Sequence, residues 1–198
     1  MNSPGDGDKR QQILKAAVKV FSQKGFHEAK VDEIADLADV GKGTVYEYFS
    51  SKKELFQEMF KGGMRFYNDV VEKDLRPGLS CAGKLQRLAR LHMKFVIKFK
   101  DLARITMVDH TDFDDEFRCW IWENRAKKLQ ILELIITEGI NGGEFRQVNP
   151  QAAALAFSGA LSALFSPIIF AGAKPEYVDL LEPVTDIILN GLSKAREA

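Results

Sequence analysis

The stretch Val40-Gly41-Lys42-Gly43-Thr44-Val45-Tyr46-Glu47-Tyr48-Phe49, followed at once by Ser50-Ser51-Lys52-Lys53-Glu54-Leu55, decides how this chain folds. On a helical wheel of about 100° per residue, Val45 and Phe49 fall together on one side. Gly43 and Glu47 point the opposite way, with Thr44 and Tyr48 on one flank and Tyr46 on the other. An apolar back, hydrogen-bonding flanks and a small residue at the closest approach suit a helix that enters a DNA major groove. The phenols can donate to phosphate oxygens or pack on a thymine methyl. Lys52 opens the next helix with Lys53 beside it, and an ammonium at a helix N-terminus predicts a phosphate clamp.

Working outward, residues 31–38 read as a short helix that buries Val31, Ile34 and Ala35 or Ala38 and carries Asp32 and Glu33 in its first turn. Asp39-Val40-Gly41 then breaks the chain for only a few residues, so two short helices flank a tight turn, as in a helix-turn-helix. Upstream, residues 9–24 bring Ile13, Ala17, Val20 and Phe21 onto one face; Gly25 offers a left-handed cap and Phe26 folds back. Downstream, Ser50 or Ser51 caps a fourth helix with Leu55, Met59 and Phe66 inside. Over residues 9–30, Lys9, Arg10, Lys15, Lys19, Lys24 and Lys30 stand against Glu28 alone, while acids gather at Asp32, Glu33, Asp36 and Asp39.

The run Ile34-Ala35, then residues 40–49, then Ser51-Lys52-Lys53-Glu54-Leu55 resembles the signature of the TetR family of transcription repressors. Spread over three helices at fixed spacing, it covers about a quarter of the chain. The resemblance implies homodimers with two heads on double-stranded operator DNA, and contacts from Lys42, Thr44, Tyr46, Tyr48 and Lys52, with Gly43 at the approach. It also implies a C-terminal inducer pocket. Three positions depart from the family pattern. Lys30 stands where a threonine commonly opens the second helix, and it substitutes a charged phosphate contact for a hydroxyl one. Asp39 replaces a frequent glycine, and Gly41 a frequent serine cap. Without the surrounding constellation, Thr44, Tyr46 and Tyr48 would read as surface residues of a three-helix cap, and Glu47 as a cytosine acceptor or a solvated carboxylate.

Beyond residue 64 the helices lengthen. Apolar periodicity marks 82–100, 113–139, 150–170 and 175–192, with breaks at 76–78, 109–112, 141–143 and 172–175. No segment alternates with period two. The fold class is therefore all-α: a three-helix helix-turn-helix domain over 9–55, and a larger helical effector-binding and dimerisation domain over 56–198.

Leu88, His92, Phe95 and Phe99 share one helical face, and Phe113, Phe117, Trp120 and Ile121 another that Asn124 continues. These stripes are either plain core or the walls of a pocket for a hydrophobic or amphipathic small molecule. His92, Phe95, Phe99, Phe117, Trp120 and Asn124 are the candidate lining, and Arg118 or Arg125 could meet an anionic end. Trp120 and Trp122 cannot both face inward. Ala152, Ala156, Gly159 and Ala163 form a small-residue stripe, and Leu180, Val184, Ile187, Ile188 and Gly191 a second. Paired across a two-fold axis, they predict a four-helix dimer interface containing Ala152, Ala156, Gly159, Ala163, Val184, Ile187 and Ile188. Pro167 and Pro183 should kink or break these helices.

Composition excludes more than it assigns. Twenty-eight basic residues balance 28 acidic ones, so any DNA contact rests on local charge. Two isolated cysteines, Cys81 and Cys119, predict neither a disulfide framework nor a zinc site, and fit a cytoplasmic protein. With three histidines at no ligand spacing, neither metal nor cofactor is expected. Gly41-Lys42 mimics part of a P-loop, yet Asp36 stands at its first glycine and Gly43 at its Ser/Thr. No G-x-S-x-G, H-E-x-x-H or dinucleotide fingerprint occurs, so no enzyme is expected. Residues 147–173 carry no charge and are long enough to span a bilayer, but Ala, Gly, Ser and Pro167 favour a buried helix over a membrane one. An activator or co-repressor-dependent regulator on the same fold, or a small-molecule enzyme in the helical pocket, are the rival readings.

Overall fold

A computed structural model describes residues 6–74, 78–107, 113–171 and 175–192, in which ten α-helices and no strand occur. The chain divides into two compact units, Met1–Asp69 with Phe99–Asp109, and Val70–Lys98 with His110–Ala198. The breaks expected at 76–77, 109–112 and 172–174 lie outside the described residues.

The first unit is built on α1 (Asp6–Glu28), which packs on α2 (Val31–Leu37) and α6 (Lys100–Met107), while α2 packs on α3 (Lys42–Tyr48). Ile13, Ala17 and Phe21 give α1 its fully buried stripe. Gly25 takes the expected left-handed φ of 73°, but the chain resumes a helical turn and reaches Glu28 instead of stopping at residue 24. Phe26 does fold back, with its ring 6.1 Å from Phe21 and 5.4 Å from Phe56. α4 (Lys52–Asp74) starts on a reciprocal cap: Ser51 Oγ accepts from the Glu54 N–H at 3.1 Å, and the Glu54 carboxylate accepts from the Ser50 N–H at 2.7 Å. The Ser50 hydroxyl also donates to this carboxylate at 2.5 Å, and the hydroxyl and N–H of Ser50 together hold the Glu54 carboxyl below its ordinary range. Leu55 and Met59 are buried as expected. Phe66 is not; it is 46% exposed and packs edge-on against Phe99 at 5.2 Å.

The periodicity over 82–100 concealed a break. α5 (Cys81–Lys98) ends, the chain turns at Phe99, and α6 joins the first unit. No glycine or proline marks the turn. Packing accompanies it: Leu102, Ala103 and Ile105 are buried, and a Cβ on Gly63 of α4 would lie 2.5 Å from Leu102 Cδ1, so a side chain there would make that leucine shift.

The second unit packs α7 (Asp115–Asn141) against α5 and α8 (Pro150–Ala171), with α10 (Leu181–Leu192) on α5 and α8, and the short α9 (Pro175–Asp179) beside α8 and α10. The 175–192 stretch is thus two helices, and Pro183 sits in the first turn of α10, where its missing N–H costs nothing. Pro167 lies within an unbroken α8. Asp114 caps α7 by accepting from the Phe117 N–H at 2.8 Å. Glu144 does the same for α5, accepting from the N–H groups of Cys81 and Ala82 at 2.7 and 2.8 Å. A Cβ on Gly139 would run into the Phe145 ring. Arg146 donates to the Leu192 carbonyl through its N–H and to the Gly191 carbonyl through Nε, tying the α7–α8 connection to the end of α10. Among the described helices, only α8 is long and apolar enough to cross a membrane; Phe157, Leu161, Leu164, Phe165, Ile168 and Ile169 bury its inner side in this unit.

Candidate nucleic-acid interface and effector region

The turn between α2 and α3 decides how the recognition helix is presented. Asp39 adopts φ 54°, the only positive φ among the described non-glycine residues, and Val40 N–H bonds back to Ala35 O at 3.1 Å. A left-handed residue is required here, which explains why glycine suits the position and why an aspartate, one of the better-tolerated alternatives, can stand in. Gly41 caps α3 in an extended conformation, with Val45 N–H on its carbonyl at 3.3 Å. Val45 and Phe49 are 1% exposed and anchor the back of the helix.

The outer side is as the wheel requires. Tyr46 is 45% exposed, Glu47 and Lys42 are exposed, and Thr44 and Tyr48 are half-buried on the flanks. A Cβ built on Gly43 meets nothing within 4 Å, so the helix presents an open surface there. Lys30 is exposed just ahead of α2, and its backbone N–H reaches Glu33 Oε2 at 3.4 Å.

The lysines are less free than the sequence suggests. Lys42 pairs with Asp32 at 3.0 Å, and Lys24 with Glu33 at 2.6 Å. The hydrogen bond from Lys42 to Asp32, with the carboxylate's charge, raises the Lys42 ammonium above its ordinary range, and the hydrogen bond from Lys24 lowers the Glu33 carboxyl. Exposed pairs of this kind are weak and screened by salt, so Lys42 can exchange Asp32 for a phosphate. Lys52 departs further from expectation. Its Nζ donates to the carbonyls of His27 and Ala29 at 3.0 and 2.9 Å and lies 4.7 Å from the Phe26 ring centroid. It closes the end of α1, where carbonyls lack helical partners. Arg10 similarly lies over the Phe49 ring at 5.1 Å and pairs with Glu58 at 3.0 Å. Sequence reasoning missed these roles because they join residues 23–48 positions apart.

Five of the six candidate lining residues belong to the second unit. His92 of α5 stacks on Phe165 of α8, with ring centroids 4.7 Å apart and planes 9° apart. Phe117 stacks on Trp120 at 6.1 Å, and Asn124 is buried with its Nδ2 on the Trp120 carbonyl at 2.8 Å. Phe95 and Trp120 are half-buried. Phe99 is the exception, since it lies beyond α5 in the first unit. Trp122 is the outward tryptophan, 67% exposed with Arg125 over its ring at 5.4 Å. Burial, followed by the charge of Lys128, pushes the His92 imidazole down to about 3, and burial brings Lys128 down to about 8. Lys128 was not anticipated. No group of three potential metal ligands occurs among the described residues.

The four interface candidates on α8, Ala152, Ala156, Gly159 and Ala163, are all exposed, and Leu155 between them is 53% exposed. On α10, Ile187 is 71% exposed and Val184 and Ile188 are half-buried.

A solvent-facing recognition helix on a helix-turn-helix, joined to a helical unit rich in buried aromatic side chains, is the arrangement of a ligand-responsive DNA-binding regulator. Residues 13–59 match the bacterial regulatory proteins of the tetR family, and residues 78–166 the tetracyclin repressor-like C-terminal domain. The chain belongs to the TetR family of transcriptional regulators. It is 28% identical over 185 residues to the fatty acid metabolism regulator protein of Bacillus subtilis, covering 93% of this chain and 95% of that one. Among solved structures it is similar to FadR from Bacillus subtilis in complex with stearoyl-CoA, with TM-score 0.80 and 28% identity over 92% of this chain and 98% of that one. FadR from Bacillus halodurans, a fatty acid degradation regulator, matches with TM-score 0.79 and 26% identity over the full length of both chains.

Proposed function

We propose that this chain is a cytoplasmic, homodimeric repressor, without enzymatic turnover, that leaves its operator when a long-chain acyl-CoA enters the second unit. The observation that carries the ligand class is the apolar interior of that unit, where a buried, neutral His92 stacks on Phe165. That lining suits a molecule with an apolar tail and a polar, electron-rich head. The similarity to a stearoyl-CoA-bound FadR along nearly the whole chain supports the same class.

The functional division proposed is a DNA-reading head over 9–55 and an effector and dimer domain over 56–198. Operator contacts are assigned to Lys30, Lys42, Gly43, Thr44, Tyr46 and Tyr48, with Lys52 supporting the head. The exposed small-residue stripe of α8 and the Val184–Ile187–Ile188 face of α10 are assigned to the two-fold interface, because a contiguous apolar surface on a soluble regulator calls for a partner and a second copy presents the same faces. The chain passes between the units within α4, at 98–99 and at 109–110, so a ligand in the second unit acts on the head through α4 and α6. A ligand changes the outcome only through unequal affinity for two states, and stearoyl-CoA must prefer the one that binds DNA poorly.

The experiment is fluorescence anisotropy on an operator selected in vitro from random duplexes with the purified protein. Micromolar stearoyl-CoA should release the DNA, while CoA alone should not. Unchanged binding with stearoyl-CoA across chain lengths would refute the acyl reading.

A further inference from the structure

The first turn of α2 carries Asp32 and Glu33, and each carboxylate holds a lysine of the head. Asp32 Oδ2 accepts from Lys42 Nζ at 3.0 Å, and Glu33 Oε1 from Lys24 Nζ at 2.6 Å. Lys42 is the first residue of α3, whose back is fixed by the buried Val45. Its ammonium therefore stands at the leading end of the recognition helix, bridged back onto α2. The side chains of Lys42 and Asp32 are 52% and 58% exposed, so the pair lies open to solvent on the surface that would meet a duplex.

The packing of α2 on α3 does not call for this pair. Ile34 and Ala35 on one helix and Val45 on the other are buried, and an exposed ion pair adds little to a fold. What the pair does change is what the ammonium can meet. A phosphate oxygen and a carboxylate oxygen compete for the same N–H donors in the same charge-assisted geometry. Lys42 can satisfy a DNA phosphate only by leaving Asp32, and the carboxylate it leaves then opposes that phosphate with like charge. Asp36, exposed one turn further along the same face of α2, extends the negative edge.

We infer that Asp32 is an internal competitor for phosphate, which holds Lys42 in the DNA-free head and so limits the affinity of the head for operator and non-specific duplex alike. This assignment rests on the operator contact given to Lys42 above and deepens it, because it names the group that the contact must displace. Its use to a regulator is release. An effector shifts the DNA equilibrium by no more than its differential affinity for two states, so a head restrained by its own carboxylate is easier to dislodge.

The test is a double-mutant cycle on the full-length protein. Anisotropy measures binding to the selected operator and to a random duplex of equal length, between about 50 and 200 mM salt. Asp32→Asn keeps the size of the side chain and removes its charge. It should tighten both duplexes by roughly two- to fivefold per head, the range of an exposed ion pair. It should also steepen the log–log salt slope by up to about one unit per head, because no carboxylate is left to take up a cation when Lys42 moves to the phosphate. In a Lys42→Met background the same substitution should change neither quantity, which places the effect in this pair. Asp36→Asn removes an equal charge from the same face and should fall well short of Asp32→Asn. An equal gain from Asp36→Asn, or from Asp32→Asn without the lysine, would mean general repulsion and overturn the competitor. No gain from Asp32→Asn, where Lys42→Met alone weakens binding, overturns it as well and leaves the operator contact standing. If Lys42→Met alone keeps wild-type affinity and slope, the contact and the competitor both fall.

Discussion

Removing the Lys52 side chain tests whether it stabilises the head or touches DNA. Its ammonium donates to two carbonyls at the end of α1 and sits over the Phe26 ring. A hydrogen bond from a charged donor contributes about 1.5–3 kcal/mol, and an exposed cation–π contact about 0.5–1. Lys52 is only half-buried, so water takes over part of the carbonyl bonding when it is cut away. A net loss of about 1–2 kcal/mol is therefore expected for Lys52→Ala, or roughly 2–8 °C in melting temperature for a chain of this size. Lys52→Met retains contact with the Phe26 ring and should recover a minority of the loss. Melting followed by far-ultraviolet circular dichroism gives the stability, and operator affinity between 50 and 200 mM salt, on the order of the range where phosphate contacts are resolved, gives the electrostatics. A lysine that stays on its carbonyls leaves the log–log salt slope unchanged. One that moves to a phosphate lowers it by about one unit when removed. A melting temperature within a degree of wild type, together with a lowered slope, would refute the clamp and restore the phosphate reading.

Other consequences follow from single contacts. Asp39→Gly relieves a left-handed aspartate at the cost of glycine's unfolded-state entropy, so stability should rise by no more than about 1 kcal/mol in urea titration, and loss of the negative charge should tighten binding to non-specific duplex. Gly159→Glu meets open space within the chain, so helicity should persist while sedimentation shows monomers and operator binding disappears; an intact dimer would move the interface elsewhere. Tyr46→Ala should weaken operator binding by roughly 10–100-fold, judged from the 1–3 kcal/mol typical of a base contact, with no change in melting. His92 has its pKa lowered to about 3 by burial, against 6.5 when free, so the unfolded chain binds the extra proton between those values. Stability should be full above pH 6.5 and fall by up to about 1.4 kcal/mol per pH unit below it, and His92→Phe should flatten that acid limb.

The helix-turn-helix was legible because its determinants are local. Val45 and Phe49 define a back, Ser51 and Glu54 make a cap, and the left-handed turn is three residues long. The same holds for the exposed stripe of α8, where small residues recur at helical spacing. What escaped was set by tertiary packing. The turn at Phe99 has no glycine or proline; it is fixed by the packing of α6 on α1 and by Leu102 lying over Gly63, 39 positions before it. The ion pairs of α2 likewise could not be read, because acids that seemed to repel DNA are the groups that hold Lys24 and Lys42.

Lys128 escaped for a different reason, since its position was visible in the periodicity. A lysine on a helix is assigned by habit to the solvent face, and the stripe through Phe117, Ile121 and Asn124 was followed only as far as Asn124. Carried four residues further, it reaches Lys128 and then Ile135. A charged residue in phase with a buried stripe is costly to retain, which makes it more informative about function than the aromatics around it. Those aromatics would be needed by any bundle of this size. The lysine is a member of that stripe that apolar packing by itself does not call for.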